Sequence, residues 1–471
     1  MAQEETYEKE IKITQQCNWV MEEFSQNNFG DKRLSLRLLV VAKHLASYPS
    51  APLNQASEIW KKTKAMYRFF DNNKVTADQI RSHHIIKTIQ RITAHSGYVI
   101  CAQDTCFLNF SHMKESEDLG PIGVLSKSCM GLVMHSSLAC TEYGVPLGVL
   151  SQKIWARDVE EYGKSEKRQE LPIEEKESFK WLEALQEYSP SFSSNKKFIT
   201  VCDREADIYE FFVEAEKLQA NLLVRACYDR RVKLEEGFGK LREFMNGKEV
   251  VYACTIDVPR ENRKAKLEVR TSYVEIPCPD KKKSSFLNHK TIKLYAIYVT
   301  EVDAPEDCES LEWMLLTNLA GSHKIKPQRY VRWYKTRWQI EVWHKVLKSG
   351  CTVEKIRLEK NERRTPCISL YSIIAWKILQ IVHLARVDLT AKAQTILTST
   401  ECDALYSVIH EQPVQETTFT AQKAVQWLAQ LGGHLARAKD PPPGPTHTWR
   451  GWQRLQDFTK MHVINQKRTY G

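Results

Sequence analysis

A succession of short apolar runs between residues 97 and 227 constrains the fold of this chain more than any other feature. Residues 97–103 form one such run, which ends at Asp104, and Phe107, Leu108 and Phe110 follow. Residues 131–140 and 145–155 read as two more strands joined by the turn Glu142-Tyr143-Gly144. Helical spacing over 178–188 leads into a strand over 197–202 that ends at Asp203, then a helix over 205–218 and a strand over 221–227. Three strands, then helix, strand, helix and strand predict a mixed α/β sheet. Residues 228–315 interrupt it with strict alternation: Ala265, Leu267, Val269, Thr271 and Tyr273, then Ile292, Leu294, Ala296 and Tyr298, separated by the basic turn Lys281-Lys282-Lys283. An all-β insertion is expected there, returning in a strand near 313–316.

Asp104 and Asp203 hold equivalent places, each the first acid after an apolar strand. Brought to one end of a sheet, two such carboxylates suit one or two Mg²⁺ ions, which take oxygen ligands. Asp at a strand end is also a common turn former and helix cap. Farther on, a helix starting near Pro327 carries Tyr334, Arg337, Glu341 and Lys348. At 100° per residue these four lie within about 60° of one another on one face. Glu341 would complete an acidic triad, while Arg337, Lys348 and Tyr334 suit phosphate oxygens. Two metals about 4 Å apart can assist in-line displacement at phosphorus. The competing reading is a solvated face with Arg337 and Glu341 as an i,i+4 ion pair. Asp207 reads as a cap or a partner of Arg204, and His135 as a satisfied histidine within an apolar strand. Trp313 reads as core or as a base-stacking platform.

The distribution of charge bears on the partner. The formal net charge is +10, and it is concentrated: residues 321–366 hold 13 Lys/Arg against 4 Glu, and residues 28–78 hold 9 against 4 acids. The first 27 residues, by contrast, hold 2 Lys against 6 Glu. Two basic blocks in a nearly neutral remainder are the footprint of a nucleic-acid partner. Residues 18–80 read as a helical unit. Leu34, Leu38, Val41 and Leu45 recur at helical spacing, and Trp60, Met66, Tyr67, Phe69 and Phe70 stand among Lys61, Lys62, Lys64 and Arg68. After Pro366 the chain is mostly helical, broken at Pro441-Pro442-Pro443-Gly444-Pro445.

Other classes are excluded. The 13 cysteines are scattered, without a C-x-x-C pair or a Cys/His cluster at zinc-ligand spacing, so reduced thiols are expected. The best apolar segment, 369–385, contains Lys377 and is short of a membrane span. The acidic start (Glu4, Glu5, Glu8, Glu10) has the wrong sign for a targeting peptide. Gly163-Lys164-Ser165 has Asp158 where a Walker A loop needs its first glycine, so no nucleotide cofactor is expected.

Seven stretches then fall into a pattern: Phe29-Gly30-Asp31-Lys32-Arg33-Leu34, Tyr67-Arg68-Phe69-Phe70-Asp71-Asn72, Gln103-Asp104-Thr105, Gly131-Leu132-Val133-Met134-His135-Ser136, Cys202-Asp203-Arg204-Glu205-Ala206-Asp207, Tyr334 to Lys348, and Trp449-Arg450-Gly451-Trp452. With them, in this order over nearly its whole length, the chain resembles the bacterial cut-and-paste DDE transposases of insertion sequences that carry the Y-R-E-K signature and excise DNA through hairpin ends. The resemblance implies an RNase H-like catalytic core interrupted by the β insertion and flanked by helical N- and C-terminal domains. The expected division is a DNA-binding domain over 1–80, core over 81–227, insertion over 228–315, the rest of the core with the glutamate helix over 316–370, and a dimerisation domain over 371–471.

The resemblance also implies roles. Asp104, Asp203 and Glu341 would hold two Mg²⁺ ions, for which Mn²⁺ can substitute, and Tyr334, Arg337 and Lys348 would hold terminal phosphates of the DNA end. Trp313 would stack near a base flipped out of the hairpin, with Arg225 as a further phosphate contact. Trp338, and Lys32, Arg33 and Lys64 in the N-terminal helices, are additional candidate DNA contacts. The activity implied is nicking, hairpin formation and opening, and strand transfer, by a homodimer in a synaptic complex on double-stranded DNA. The expected location is the bacterial cytoplasm, at the nucleoid and away from any membrane. Two other readings stay open: a catalytically silent DNA-binding inhibitor subunit, and a metal-dependent nuclease without strand transfer.

Overall fold

The computed structural model describes residues 18–57, 59–113, 116–123, 129–160, 171–192, 197–258, 263–282, 289–413 and 418–469. The acidic start, the Gly163-Lys164-Ser165 stretch and Lys283 lie outside the described residues. Helices α1 (Asn18–Phe24), α2 (Lys32–Ser47), α3 (Leu53–Ala56), α4 (Trp60–Phe70) and α5 (Ala77–Ala94) open the fold. α2 starts at Asp31, whose carboxylate accepts the Arg33 N–H at 2.9 Å, and α5 starts at Thr76, whose hydroxyl accepts the Gln79 N–H. The apolar spacing read from the sequence buries Leu38, Val41 and Leu45 of α2 with Met66, Phe69 and Phe70 of α4. Lys32, Arg33, Lys61, Lys64 and Arg68 are left exposed.

One buried polar cluster ties α1 to the rest of the molecule. Glu23, 2% exposed, accepts from His84 Nδ1 at 2.6 Å and from Arg91 Nη1 at 2.6 Å. The Val149 N–H donates to His84 Nε2 at 3.0 Å, so the imidazole is neutral with its proton on Nδ1. Burial alone would push the Glu23 carboxyl up, but His84 and Arg91 together outweigh it and hold it down at about 2.

Among the described residues the sheet has ten strands. They are β1 (Val99–Asn109), β2 (Gly120–Pro121), β3 (Met130–Thr141), β4 (Pro146–Trp155), β5 (Phe198–Cys202), β6 (Asn221–Arg225), β9 (Val250–Val258), β10 (Arg263–Pro277), β11 (Thr291–Val302) and β12 (Glu312–Thr317), with a separate hairpin of β7 (Arg231–Lys233) and β8 (Phe238–Lys240). The order is β2-β3-β1-β5-β6-β12-β11-β10-β9, with β4 also on β3. Among the described strands only β1, β5 and β6 run parallel, and helices α6 (Phe179–Tyr188) and α7 (Tyr209–Lys217) precede β5 and β6. The turn before β4 places Gly144 at φ +87°, a conformation glycine adopts without steric cost.

Residues 228–315 differ from the expected all-β insertion in two ways. Leu241–Asn246 is a helix, α8, because Leu241, Phe244 and Met245 recur at helical spacing and bury Leu241 and Met245 completely. The long strands also form no sheet of their own. β12 pairs with β6 through Leu316 and Val224, so β9 to β12 lengthen the central sheet.

After the sheet come α9 (Pro327–Thr336), α10 (Trp338–Lys345), a π turn (Val346–Gly350), α11 (Asn361–Val387), α12 (Ser399–His410), α13 (Ala421–Leu431) and α14 (Pro445–Thr469). α11 is long and apolar enough to cross a membrane by composition, yet 78% of its most apolar window is buried inside the protein. Its serines are used there: Gln152 bridges Ser369 at 3.0 Å and Ser372 at 2.8 Å. The N-terminal helices share one hydrophobic core with β1, β3, α10 and α11. Boundaries expected after residues 80, 315 and 370 accordingly fall within α5, β12 and α11. Composition shifts at those points, while backbone hydrogen bonding runs on. Every described cysteine is a free thiol.

Candidate active site

Asp104 does not close its strand. β1 continues to Asn109 along β3, with Asp104 opposite Ser136. What stops is the parallel ladder to β5, whose last pair is Ala102 with Val201. Asp104 and Asp203 each lie two residues beyond that pair, on neighbouring chains about 4.8 Å apart in a regular sheet. Asp203 follows the last residue of β5 and caps the 3₁₀ turn Arg204–Ala206, accepting the Glu205 N–H at 2.9 Å. Both readings of Asp203 therefore hold together: it caps a turn, and it stands beside Asp104.

The helix expected to carry Tyr334, Arg337, Glu341 and Lys348 is not one regular α-helix. At the junction of α9 and α10 the bonds shorten to Arg337 N–H to Tyr334 and Ile340 N–H to Arg337. After Lys345 they lengthen into the π turn, closed by the Cys351 N–H on the Val346 carbonyl at 2.8 Å. Arithmetic at 100° per residue therefore does not carry across either joint to Lys348. Its ammonium donates to the Phe107 carbonyl at 2.9 Å and pairs with Glu354 at 3.2 Å.

Arg337 stands among the acids. Its Nη2 meets Glu341 Oε1 at 2.6 Å, the i,i+4 pair, and Nη1 lies 3.8 Å from Asp104 Oδ2. Its Nε and Nη1 have no hydrogen-bond partner among the described residues, although the side chain is only 8% exposed. Burial works against the guanidinium's charge, but Tyr334, Asp104 and Glu341 outweigh it and push its pKa up. Asp104 is pushed up to about 7, first by burial and then by the charges of Asp203 and Glu341, against the pull of Arg337. Burial also raises Asp203, with the Glu205 N–H and Arg337 opposing.

Two neighbours escaped the sequence reading. His344 is buried on α10 with Nδ1 3.8 Å from Asp104 Oδ2 and Nε2 without a partner among the described residues. Burial, Lys348 and Arg337 hold its imidazole neutral, down at about 3. Its place three residues after Glu341, on the same helical face, was the available signal. Glu354 sits past the π turn and gave none. Asp207, expected to cap or to pair with Arg204, does close the 3₁₀ turn with its N–H on the Arg204 carbonyl, but its carboxylate is buried against Arg230 at 2.6 Å and accepts the Cys227 and Tyr228 N–H groups. The intervening bend brings residue 230 back over it. His135 is satisfied by Thr105 and Gln103 and packs edge-on to Trp181.

The remaining candidates flank this centre. The Trp313 ring lies 5.8 Å from that of Tyr334, which is nearly buried. Arg225 donates to the Glu312 carbonyl at 2.9 Å, and with Arg204, Arg242 and Trp313 it borders a cavity of about 570 Å³. Trp338 is 44% exposed. Lys32 and Arg33 open α2, and Lys64 is on α4.

Among the described residues, no three His, Cys, Asp or Glu side chains are placed to share an ion as they stand; a guanidinium stands in their midst instead. The donor chemistry nevertheless fits a divalent cation: carboxylates that raise one another's proton affinity are short of positive charge. Residues 16–75, which take in α1 to α4, match the family model described as transposase DNA-binding. That match supports a DNA-binding transposase, with the exposed cations of α2 and α4 inside the matched segment.

Proposed function

We propose that this chain is a DDE transposase of the Y-R-E-K type, which binds transposon-end inverted repeats and carries out nicking, hairpin formation and opening, and strand transfer. The observation that carries this reading is the gathering of Asp104, Asp203 and Glu341 around one arginine, beyond the ends of paired parallel strands, in a chain that opens with a transposase DNA-binding segment. The strand order β4-β3-β1-β5-β6, with the last three parallel, supports an RNase H-like core. Asp104, Asp203 and Glu341 would hold two Mg²⁺ ions, which when bound supply Lewis acidity at phosphorus and a more acidic water. Tyr334, Arg337 and Lys348 would take the terminal phosphates. Arg337 then exchanges Glu341 for a phosphate oxygen, and Lys348 gives up the Phe107 carbonyl and Glu354. Trp313 offers its face to an unpaired base beside Arg225. A homodimer would join two such ends.

Asp203→Ala tests the reading. It is expected to lose cleavage of a transposon-end duplex in Mg²⁺ while retaining binding through α2 and α4, and full cleavage by this variant would overturn the triad. Joining of a pre-cut end to a plasmid separates a transposase from a plain nuclease, which would yield hydrolysis products alone.

A further inference from the structure

At the opposite end of the parallel strands lies a second basic feature that the active-site reading does not use. A cavity of about 920 Å³ opens where β1, β5 and β6 begin, bordered by Tyr98, Lys197 and Asn221 and closed by the segment leading into α9. That segment and the first turn of α9 contribute Lys324, Lys326 and Arg329, so among the described residues four cations and no carboxylate border the cavity. Tyr98 and Lys197 each precede the catalytic aspartate of their strand by six residues, which at about 3.3 Å per residue sets the cavity roughly 20 Å from the acids.

The four cations differ in how far they are committed. Lys197 donates to the Ser96 carbonyl at 2.7 Å. Arg329 stacks on Tyr98 with 4.9 Å between its guanidinium carbon and the ring centroid, and faces Glu142 at 3.7 Å. Lys324 and Lys326 are exposed. Among the described residues their ammonium groups form no ion pair. α9 starts directly after Lys326 with no side chain capping it, so the positive end of its dipole adds to the same field. A nearly uncompensated positive rim, rather than a closed nest of buried donors, suits successive phosphates of a polymer better than a single small anion.

We infer that the cavity bordered by Lys197, Lys324, Lys326 and Arg329 holds the phosphate backbone of a stretch of duplex DNA separate from the one engaged at Asp104. The sheet stands between the two places, so a duplex seated at the acids does not pass straight through to this rim. The inference needs only that the protein binds DNA, and it is independent of the triad.

The test uses the full chain and a duplex of arbitrary sequence. Lys324→Glu/Lys326→Glu is compared with Lys423→Glu/Lys439→Glu, which changes the net charge equally on exposed C-terminal residues. Each lost phosphate contact lowers the slope of log affinity against log salt by about 0.9, so the first variant is expected to lose about 1.8 from the wild-type slope and the second little. Amine acylation read by mass spectrometry gives a check on the wild-type protein: Lys324 and Lys326 are expected to be protected by the duplex, and Lys423 not. Equal slopes for the two double variants, or unprotected Lys324 and Lys326 under saturating duplex, would overturn the inference. Loss of binding with intact melting behaviour would support it even if cleavage assays fail.

Discussion

Replacing Glu23 by Gln removes the one formal negative charge of the buried cluster that fastens α1, and the structure sets the size of the effect. The Glu23 carboxyl is held at about 2 against an ordinary value of 4.5, in a site 2% exposed. At about 1.4 kcal/mol per unit, that difference corresponds to at most about 3 kcal/mol of stability at neutral pH, because the neutral His84 supplies a hydrogen bond and no charge. Removing one partner of a buried ion pair costs about 3–5 kcal/mol in other proteins, so the two routes agree. The sign follows from the depressed pKa. The contribution is fully present above pH 4.5 and is lost as pH falls toward 2, so the gap between wild type and Glu23→Gln narrows to about 2 kcal/mol by pH 3.5. Denaturant or thermal unfolding of both proteins at pH 7, 5 and 3.5 measures it. Because α1 lies in the segment matching the DNA-binding family model, the variant is also expected to bind duplex more weakly at temperatures where the wild type is intact. A gap that stays constant across this pH range, or one under 1 kcal/mol at pH 7 on the scale of an exposed ion pair, would refute the reasoning.

Asp104→Asn runs the other way. With its folded carboxyl pushed up to about 7 from an ordinary 3.8, the ionised side chain costs the fold stability, a cost that sets in above pH 3.8, grows through the interval and is complete above pH 7. The variant is expected to be more stable than wild type at pH 8 in chelator, by at most about 4 kcal/mol, and little changed near pH 4 in the same melting experiment. Gly451→Ala addresses the helices after α11. A Cβ there would fall 1.6 Å from the Leu428 carbonyl oxygen, so α13 and α14 must separate. A loss of about 3 kcal/mol in thermal unfolding is expected, and an unchanged melting temperature would contradict the backbone-to-backbone approach.

The sequence located what burial dictates. Strands β1, β3, β4, β5 and β6 stand where their apolar runs placed them, and Leu38, Val41, Met66 and Phe69 form the core their spacing announced. It also brought Asp104, Asp203 and Glu341 forward as one group, and the structure sets all three within electrostatic reach of Arg337. Interactions with backbone acceptors stayed hidden. Lys348 turns to the Phe107 carbonyl, and every residue has such a carbonyl, so nothing in composition marks the one chosen. The breaks in the helix at Arg337 and after Lys345 were equally silent, because no proline stands at either joint. The carboxylate partner of Asp207 was missed since Arg230 is brought by a bend, not by helical spacing. The strands β10 and β11 were found by alternation, but alternation reports which face is buried and not which strand lies beyond β6, so the separate insertion expected there is a lengthening of the central sheet.

The π turn Val346–Gly350 sets how β1 and α14 are placed against the same stretch of chain. A π turn holds one residue more than the α turn it replaces. That extra residue lets Lys348 reach β1 while Gly350 faces α14, where an added Cβ would stand 3.0 Å from the Trp449 ring. Shortening the turn by one residue would rotate everything after it by about 100°, taking Glu354 away from Lys348 and the glycine away from the tryptophan. The length of this five-residue segment is therefore a gauge, cut so that the contact of Lys348 with β1 and the approach of Gly350 to α14 are in register at once.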